Sequence, residues 1–422
     1  MDYYKYNNNQ LIRMPDISNN IPLSKRYCSS PWNNISISNF GTIKPCPLFK
    51  ATCAPVYDEN TNDINNFNEF RFSGVELLEN ETFIDWYYRV YADVREHNSL
   101  DHPGCFTCQR VESEGQVSRR QLKLNPSPTV RGINYIDISF GNTCNLKCTM
   151  CNSHNSTKWI SDEQALNDNG FKIKVHKKHE IHPTLLGHLI EYCNNSTDSK
   201  FTINVKGGEP LVTDDFYSFI SQLTEEFKRK TTIKVFTNAT VFPDKYIKAL
   251  QPFNKVQISF SIEAVDDSLY RYIRGGEYGF DRIATLQKVF KQYSNFSTGL
   301  SFTISNYNIF HLNECVNQLI DMGLILNGNL PDNMVENKPY LSPRHLPLST
   351  KHMLVDMYKS NPGLTGITNY LTSAINNHNN IMSNEMMKQF KLYSSVLDKE
   401  RHENLFDVVP EYESIFENII VI

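Results

Sequence analysis

The chain of 422 residues has no apolar run near the roughly 20 residues needed to cross a bilayer, and its closing stretch, 419–422, is far too short. It also lacks an excess of either charge: 42 Lys and Arg against 46 Asp and Glu leave a net charge of -4. Nothing global therefore argues for a nucleic-acid or membrane surface. The first residues, Met1-Asp2-Tyr3-Tyr4-Lys5-Tyr6 and an asparagine run, lack the apolar core of a secretory signal. No internal repeat is evident. The expectation is a cytoplasmic protein with no membrane or nucleic-acid partner, long enough for two or more domains. In that compartment thiols stay reduced, so the ten cysteines, eight of them in recognisable groups, read as metal ligands rather than disulfides.

What is present is an alternation. Over 130–330, short β-branched runs near 133–140, 201–205, 232–236, 256–262, 299–304 and 324–326 alternate with helical patterns at 214–228, 281–292 and 313–322. Phe216, Phe219, Ile220 and Leu223 show the helical spacing. Six such units predict an α/β fold built as a partial barrel of parallel βα units. From Pro331 the pattern changes: Pro339, Pro343 and Pro347 punctuate a loop-rich segment, and helices follow from about Thr350. Tyr340, Arg344 and His345 are either ordinary loop residues or the lining of a substrate entrance. Between the first two strands lies a Lys- and His-rich stretch, 172–188. His176, His179 and His182 recur in it every third residue, which suggests one helix face, solvated or in contact with an acidic electron donor.

The chemistry concentrates just after the first strand, in Gly141-Asn142-Thr143-Cys144-Asn145-Leu146-Lys147-Cys148-Thr149-Met150-Cys151. Three thiolates at C-x3-C-x2-C are one short of the four that normally hold a four-iron cluster. An iron without a protein thiolate keeps open coordination positions, where cosubstrate chemistry takes place. The competing occupant is zinc, which wants four tetrahedral ligands. After the second strand comes Gly207-Gly208-Glu209-Pro210, after the third Thr237-Asn238, and at the end of the fourth Ser261 and Glu263. Catalytic groups of β/α barrels gather at such strand ends.

The cysteine triplet and the GGEP segment together resemble the radical S-adenosylmethionine enzymes. The resemblance implies a six-stranded partial β/α barrel and a [4Fe-4S] cluster on Cys144, Cys148 and Cys151, the catalytic residues. The remaining iron would bind S-adenosyl-L-methionine. It also implies cosubstrate contacts at Met150, Gly207, Gly208, Glu209, Ser261, Glu263 and Arg274, with Thr237 and Asn238 as further candidates that would equally serve as turn caps. Arg271 is the alternative to Arg274, and Glu209 has the alternative of a helix-start carboxylate before Pro210.

A second cysteine set lies N-terminal. Cys28, then Ile35 and Ile37 alternating toward Gly41, then Cys46, read as a hairpin whose turn brings the two thiols together. Cys105 and Cys108 form a later C-x2-C pair, and two pairs make a four-thiolate cage for iron and sulfide or for zinc. Cys53 competes for one position. Cys193 and Cys315 fall in helical patterns as small buried hydrophobes, and Phe83, Ile84, Tyr87, Val90, Tyr91 and Val94 form a packing stripe. The C-x12-G-x4-C spacing resembles twitch and SPASM modules, and Glu112, Gly115, Ser118 and Arg119 resemble radical enzymes with that module at the N-terminus.

The domains expected are thus 1–129, a twitch-like auxiliary cluster domain; 130–330, the radical S-adenosylmethionine barrel; and 331–422, a loop-rich and helical extension. The expected activity is reductive cleavage of S-adenosylmethionine and hydrogen abstraction from a substrate, with peptide or protein first and a carbohydrate or nucleotide as alternatives. The electron would come from a flavodoxin or ferredoxin. A non-catalytic iron–sulfur electron-transfer or metal-binding protein is the alternative of another class.

Overall fold

The structure, a computed structural model, describes residues 3–7, 10–14, 28–49, 77–96, 103–113, 118–122, 132–276, 280–325, 328–331, 333–335 and 338–418. Cys53, Gly115 and Leu326 lie outside the described residues.

The strands are β1 (Tyr3–Asn7), β2 (Gln10–Met14), β3 (Asn34–Ile37), β4 (Ile43–Lys44), β5 (Tyr135–Ser139), β6 (Phe201–Lys206), β7 (Thr231–Thr237), β8 (Lys255–Ser261) and β9 (Phe296–Ser301). β1 and β2 form an antiparallel pair of their own; the other seven make one sheet in the order β4-β3-β5-β6-β7-β8-β9. β3 runs parallel to β5, β5 to β6 and β8 to β9, whereas β4 is antiparallel to β3. Ile136 and Ile138 of β5, and Ile203 and Val205 of β6, are fully buried. Near-continuous burial is what parallel strands covered on both faces require.

Two expectations about the sheet change. β9 begins at Phe296 rather than 299, because its register is set by β8, with Val256 opposite Phe296. The sixth strand expected at 324–326 is not a strand over its described residues. The helix Leu312–Asp321 ends there, Gly323 takes a φ of 69°, and Leu324 and Ile325 fold back so that their N–H groups reach the Leu319 carbonyl. Those buried apolar residues close a helix end. The sheet reaches seven strands through the hairpin β3–β4, whose turn has Gly41 at φ 74° as its sequence suggested.

The chain divides into two compact units. The first comprises 1–142, 179–234 and 248–255. In it the helix Phe83–Val90 buries Phe83 and Tyr87 of the expected stripe, but leaves Ile84 and Val90 half-buried and buries Trp86 and Tyr88 as well. Tyr87 and Tyr88 donate to the Asn34 and Trp32 carbonyls at 2.7 Å each, and Tyr91 donates to that of Ile43. The expected helix at 214–228 is two helices, Asp214–Gln222 and Glu225–Arg229, because Thr224 caps the second by accepting from the Phe227 N–H.

The second unit comprises 143–178, 235–247 and 256–422. Its C-terminal part is helical, as the sequence suggested, with Leu348–Tyr358, Thr365–Asn376, Asn380–Arg401 and Glu411–Glu417. Tyr307, Phe390 and Tyr412 pack edge to face in its core. No helix among the described residues is long and apolar enough to cross a membrane.

Candidate metal centre

The cysteine loop has no regular secondary structure, so its backbone groups must find partners elsewhere. They find side chains. Ser156 donates its hydroxyl to the Leu146 carbonyl at 2.6 Å, Arg401 its guanidinium to that of Lys147 at 2.7 Å, and the Trp159 indole N–H to that of Cys148 at 2.9 Å. Tyr393 donates to the Thr149 carbonyl at 2.8 Å and Lys338 to that of Cys151. The Thr149 N–H in turn donates to the Ile273 carbonyl at 2.7 Å. Gly275 sits at φ 63° against this loop: a Cβ there would lie 2.8 Å from Lys147 Cγ and 3.0 Å from its carbonyl oxygen, so only glycine fits.

Behind the loop lies a buried ion pair. Arg401 NH2 and Asp162 Oδ2 are 2.6 Å apart, with 1% and 0% of their side chains exposed. The Trp159 ring lies beneath both Arg401, at 5.0 Å, and Lys338, at 4.2 Å.

All three thiols are half-buried, and Cys144 and Cys151 are electrostatic neighbours of Cys148. Burial pushes Cys148 and Cys151 upward, while Arg274 opposes this at both thiols and Lys338 at Cys151. Among the described residues no three His, Cys, Asp or Glu groups are placed to hold a single metal ion. A cubane is a larger object, since each thiolate takes a different iron. The donor set, three thiols flanked by Arg274 and Lys338, fits a negatively charged thiolate-bound cluster.

Of the expected cosubstrate residues, several meet around this loop. Asn238 donates toward Cys144 Sγ at 3.9 Å and to Asn145 Oδ1 at 2.9 Å, while its own Oδ1 accepts from the Thr240 N–H and hydroxyl. Thr237 caps the same turn by accepting from the Ala239 N–H at 3.0 Å. Arg274 donates to Glu263 at 2.8 Å; both are buried, and Cys148 is an electrostatic neighbour of each. Burial raises the Glu263 carboxyl with Arg274 opposing, and Arg274 Nε is buried with no hydrogen-bond partner. A carboxylate drawn to Arg274 must therefore use the guanidinium edge that Glu263 leaves open. Arg271 is half-exposed and bound to Asp267 at 2.7 Å. Met150 and Ser261 are both half-buried, the one between Thr149 and Cys151, the other closing β8.

In the first unit, Gly207 and Gly208 follow β6 with φ of 84° and 55°. A Cβ on Gly207 would lie 2.1 Å from Asn39 Oδ1 and 2.4 Å from Ser139 Cβ, so this backbone is pressed against the end of β5. Glu209 is 2% exposed and accepts from the Leu211 N–H at 3.3 Å.

The same unit holds the N-terminal cysteines. Cys28 and Cys108 are electrostatic neighbours of Cys46, whose thiol burial pushes up to about 11. Cys105 is half-buried in the turn Pro103–Cys105, ahead of the helix Phe106–Ser113 that carries Cys108. Glu112 accepts from Ser118 at 2.5 Å and Arg120 at 2.9 Å. Cys193 and Cys315 are buried, as small hydrophobes would be.

The histidine recurrence is not helical. His176 lies in a stretch without regular secondary structure and His182 caps the helix Pro183–Asn195, its Nδ1 accepting from the Thr184 N–H at 3.3 Å. Proline at the helix start ends the periodicity that the spacing suggested.

Sequence reasoning missed Ser156, Trp159, Asp162, Lys338, Tyr393 and Arg401. Their shared signal is burial of polar side chains far apart in the chain, which no spacing announces.

Residues 138–319 match the family model of the Radical SAM superfamily. The cysteine loop and the GGEP segment both lie within the matched residues. Over 198 residues the chain is 25% identical to an uncharacterized protein of Methanocaldococcus jannaschii, covering 46% of this chain and 61% of that one. Over 139 residues it is 25% identical to a GTP 3',8-cyclase of Campylobacter lari, covering 33% of this chain and 37% of the cyclase. The chain therefore spans 61% and 37% of the lengths of these relatives. The structure of Streptococcus suis SuiB bound to S-adenosylmethionine aligns at 16% identity and a TM-score of 0.33, covering 73% of this chain and 54% of that one.

Proposed function

We propose that this chain, with its radical SAM domain, is an enzyme that reductively cleaves S-adenosylmethionine and abstracts hydrogen from a substrate. One observation carries the reading: the carbonyls of residues 146, 147, 148, 149 and 151 are each held by a side chain, while the three thiols between them stay half-buried. Such a loop is preorganised to present sulfur and little else.

When bound on Cys144, Cys148 and Cys151, a four-iron cluster supplies one electron to the sulfonium of S-adenosylmethionine, which parts into methionine and a 5'-deoxyadenosyl radical. The chain's own groups bind and orient. Glu209 accepts from the methionine ammonium, Gly207 and Gly208 let backbone approach it, and the free edge of Arg274 meets the methionine carboxylate. Met150 touches the adenine, and Ser261 offers a hydrogen bond to the ribose, while Asn238 holds the turn beside Cys144. Near-attack distance to the substrate hydrogen is required, since a primary carbon radical otherwise reacts with whatever is nearest.

Cys28, Cys46, Cys105 and Cys108 hold a second four-iron cluster in this reading, in a twitch-like module. Such a module favours a peptide substrate, with a flavodoxin or ferredoxin as electron donor. The likeness to a GTP 3',8-cyclase favours a nucleotide as the second reading. Anaerobically reconstituted, dithionite-reduced protein is expected to convert S-adenosylmethionine to 5'-deoxyadenosine; no product at a stoichiometric level sinks the proposal. Label carried into 5'-deoxyadenosine from deuterated peptides or nucleotides separates the two substrate readings.

A further inference from the structure

Within the second unit, beside the cysteine loop, lies a cavity of about 320 Å³ lined in part by Glu163, Lys338, Lys172, Lys174, His154 and His176. That volume is at the small end of pockets that hold small molecules, roughly 300–1,000 Å³. It suits a metabolite-sized ligand rather than a length of peptide.

Its walls are of two kinds. Glu163 is 1% exposed; its Oε1 accepts from the Ser153 N–H at 3.0 Å, and its Oε2 is buried with no hydrogen-bond partner. A buried acceptor left in that state is costly, so the occupant of the cavity must bring an N–H or O–H to it. The other kind is cationic. Lys172 and Lys174 stand exposed and Lys338 is buried. The basic stretch is fixed beside the loop because the His176 N–H donates to Ser153 Oγ at 2.7 Å. Lys338 already gives one N–H to the Cys151 carbonyl and one to Tyr393, so at most one further donor remains for a ligand.

We propose that this cavity is a binding site for a small acidic molecule with a hydrogen-bond donor group, its phosphate or carboxylate held by the lysines and its ammonium, amide or hydroxyl by Glu163. The site goes beyond the cleavage of S-adenosylmethionine and stands or falls separately.

Isothermal titration of the anaerobically reconstituted protein, without reductant, tests it with three probes. These are phosphoserine, glutamate and inorganic phosphate, the last an anion without an amine. We expect saturable binding of phosphoserine or glutamate, with the better one showing which acidic group is preferred, and at least about tenfold tighter than inorganic phosphate. Glu163→Gln, which keeps an acceptor for Ser153, is expected to shrink that preference to less than threefold. Lys174→Glu, at an exposed position that leaves the fold alone, is expected to weaken the preferred probe about tenfold. Absence of saturable heat from phosphoserine and glutamate at a few millimolar, as expected if water alone fills the cavity, overturns the proposal. So does binding indifferent to both substitutions. Formation of 5'-deoxyadenosine, assayed in parallel, reports on the enzymatic reading independently.

Discussion

The two cysteine sets differ in what surrounds them. Cys144, Cys148 and Cys151 share one eight-residue turn, which Trp159, Lys338, Tyr393 and Arg401 hold from outside through backbone carbonyls. Cys28, Cys46, Cys105 and Cys108 come from separate segments, one flanking the hairpin β3–β4 and one at the start of the helix Phe106–Ser113. In the first the chain shapes the loop and the loop positions the sulfurs. In the second the sulfurs are gathered only by folding, so a metal bound there would carry more of the assembly.

The largest expected effect tests the first set. Cys148→Ala should abolish formation of 5'-deoxyadenosine and lose about four irons per chain, as read by iron and sulfide analysis. Residual cleavage at the wild-type level would break the comparison at once.

Next comes the brace. Arg401→Leu leaves buried Asp162 with only the longer Lys147 contact at 3.7 Å, so the loss should approach the roughly 3–5 kcal/mol of a broken buried pair without exceeding it. Denaturant unfolding should show it, and the double change Arg401→Leu with Asp162→Leu should recover much of the loss. If the double variant is no better than the single one, the pair is not what steadies this loop.

Cys108→Ala should remove iron from the N-terminal site while S-adenosylmethionine is still cleaved without coupling to substrate. Full retention of iron would remove Cys108 from the ligand set, and zinc in place of the missing iron would mark that site as a zinc cage.

The smallest effect is Tyr393→Phe, which deletes one hydrogen bond to the Thr149 carbonyl and one acceptor for Lys338. A loss of about 1 kcal/mol is expected in denaturant unfolding. A loss several times larger would show that the tethers act as one unit rather than singly.

The same contrast explains what could be read in advance. The strands β5, β6, β7 and β8 were legible within one or two residues because their apolar residues alternate with polar ones over five to seven positions. The cysteine triplet was legible because a compact motif is a spacing. The hairpin around Gly41 was legible from its turn, yet its pairing with β5 was not, since nothing in 34–37 names the strand beside it. Leu324 and Ile325 misled because two or three apolar residues serve a helix end as well as a strand. His176, His179 and His182 misled because a period of three was taken without caps or an apolar stripe to support it. Glu163, the acceptor in the cavity, was invisible: it stands among polar residues, Ser161 to Gln164, that read as a solvated helix face.

The tether from Arg401 to the Lys147 carbonyl spans 254 positions and that from Tyr393 to Thr149 spans 244. During synthesis the triplet therefore leaves the ribosome long before the helix that braces it. The socket is incomplete until the helix Asn380–Arg401 has been made, so loading by a cluster carrier should follow its synthesis. Nascent chains arrested before residue 380 are expected to take up markedly less iron than chains that include this helix under the same reconstitution; equal uptake would show that the thiols need no such support.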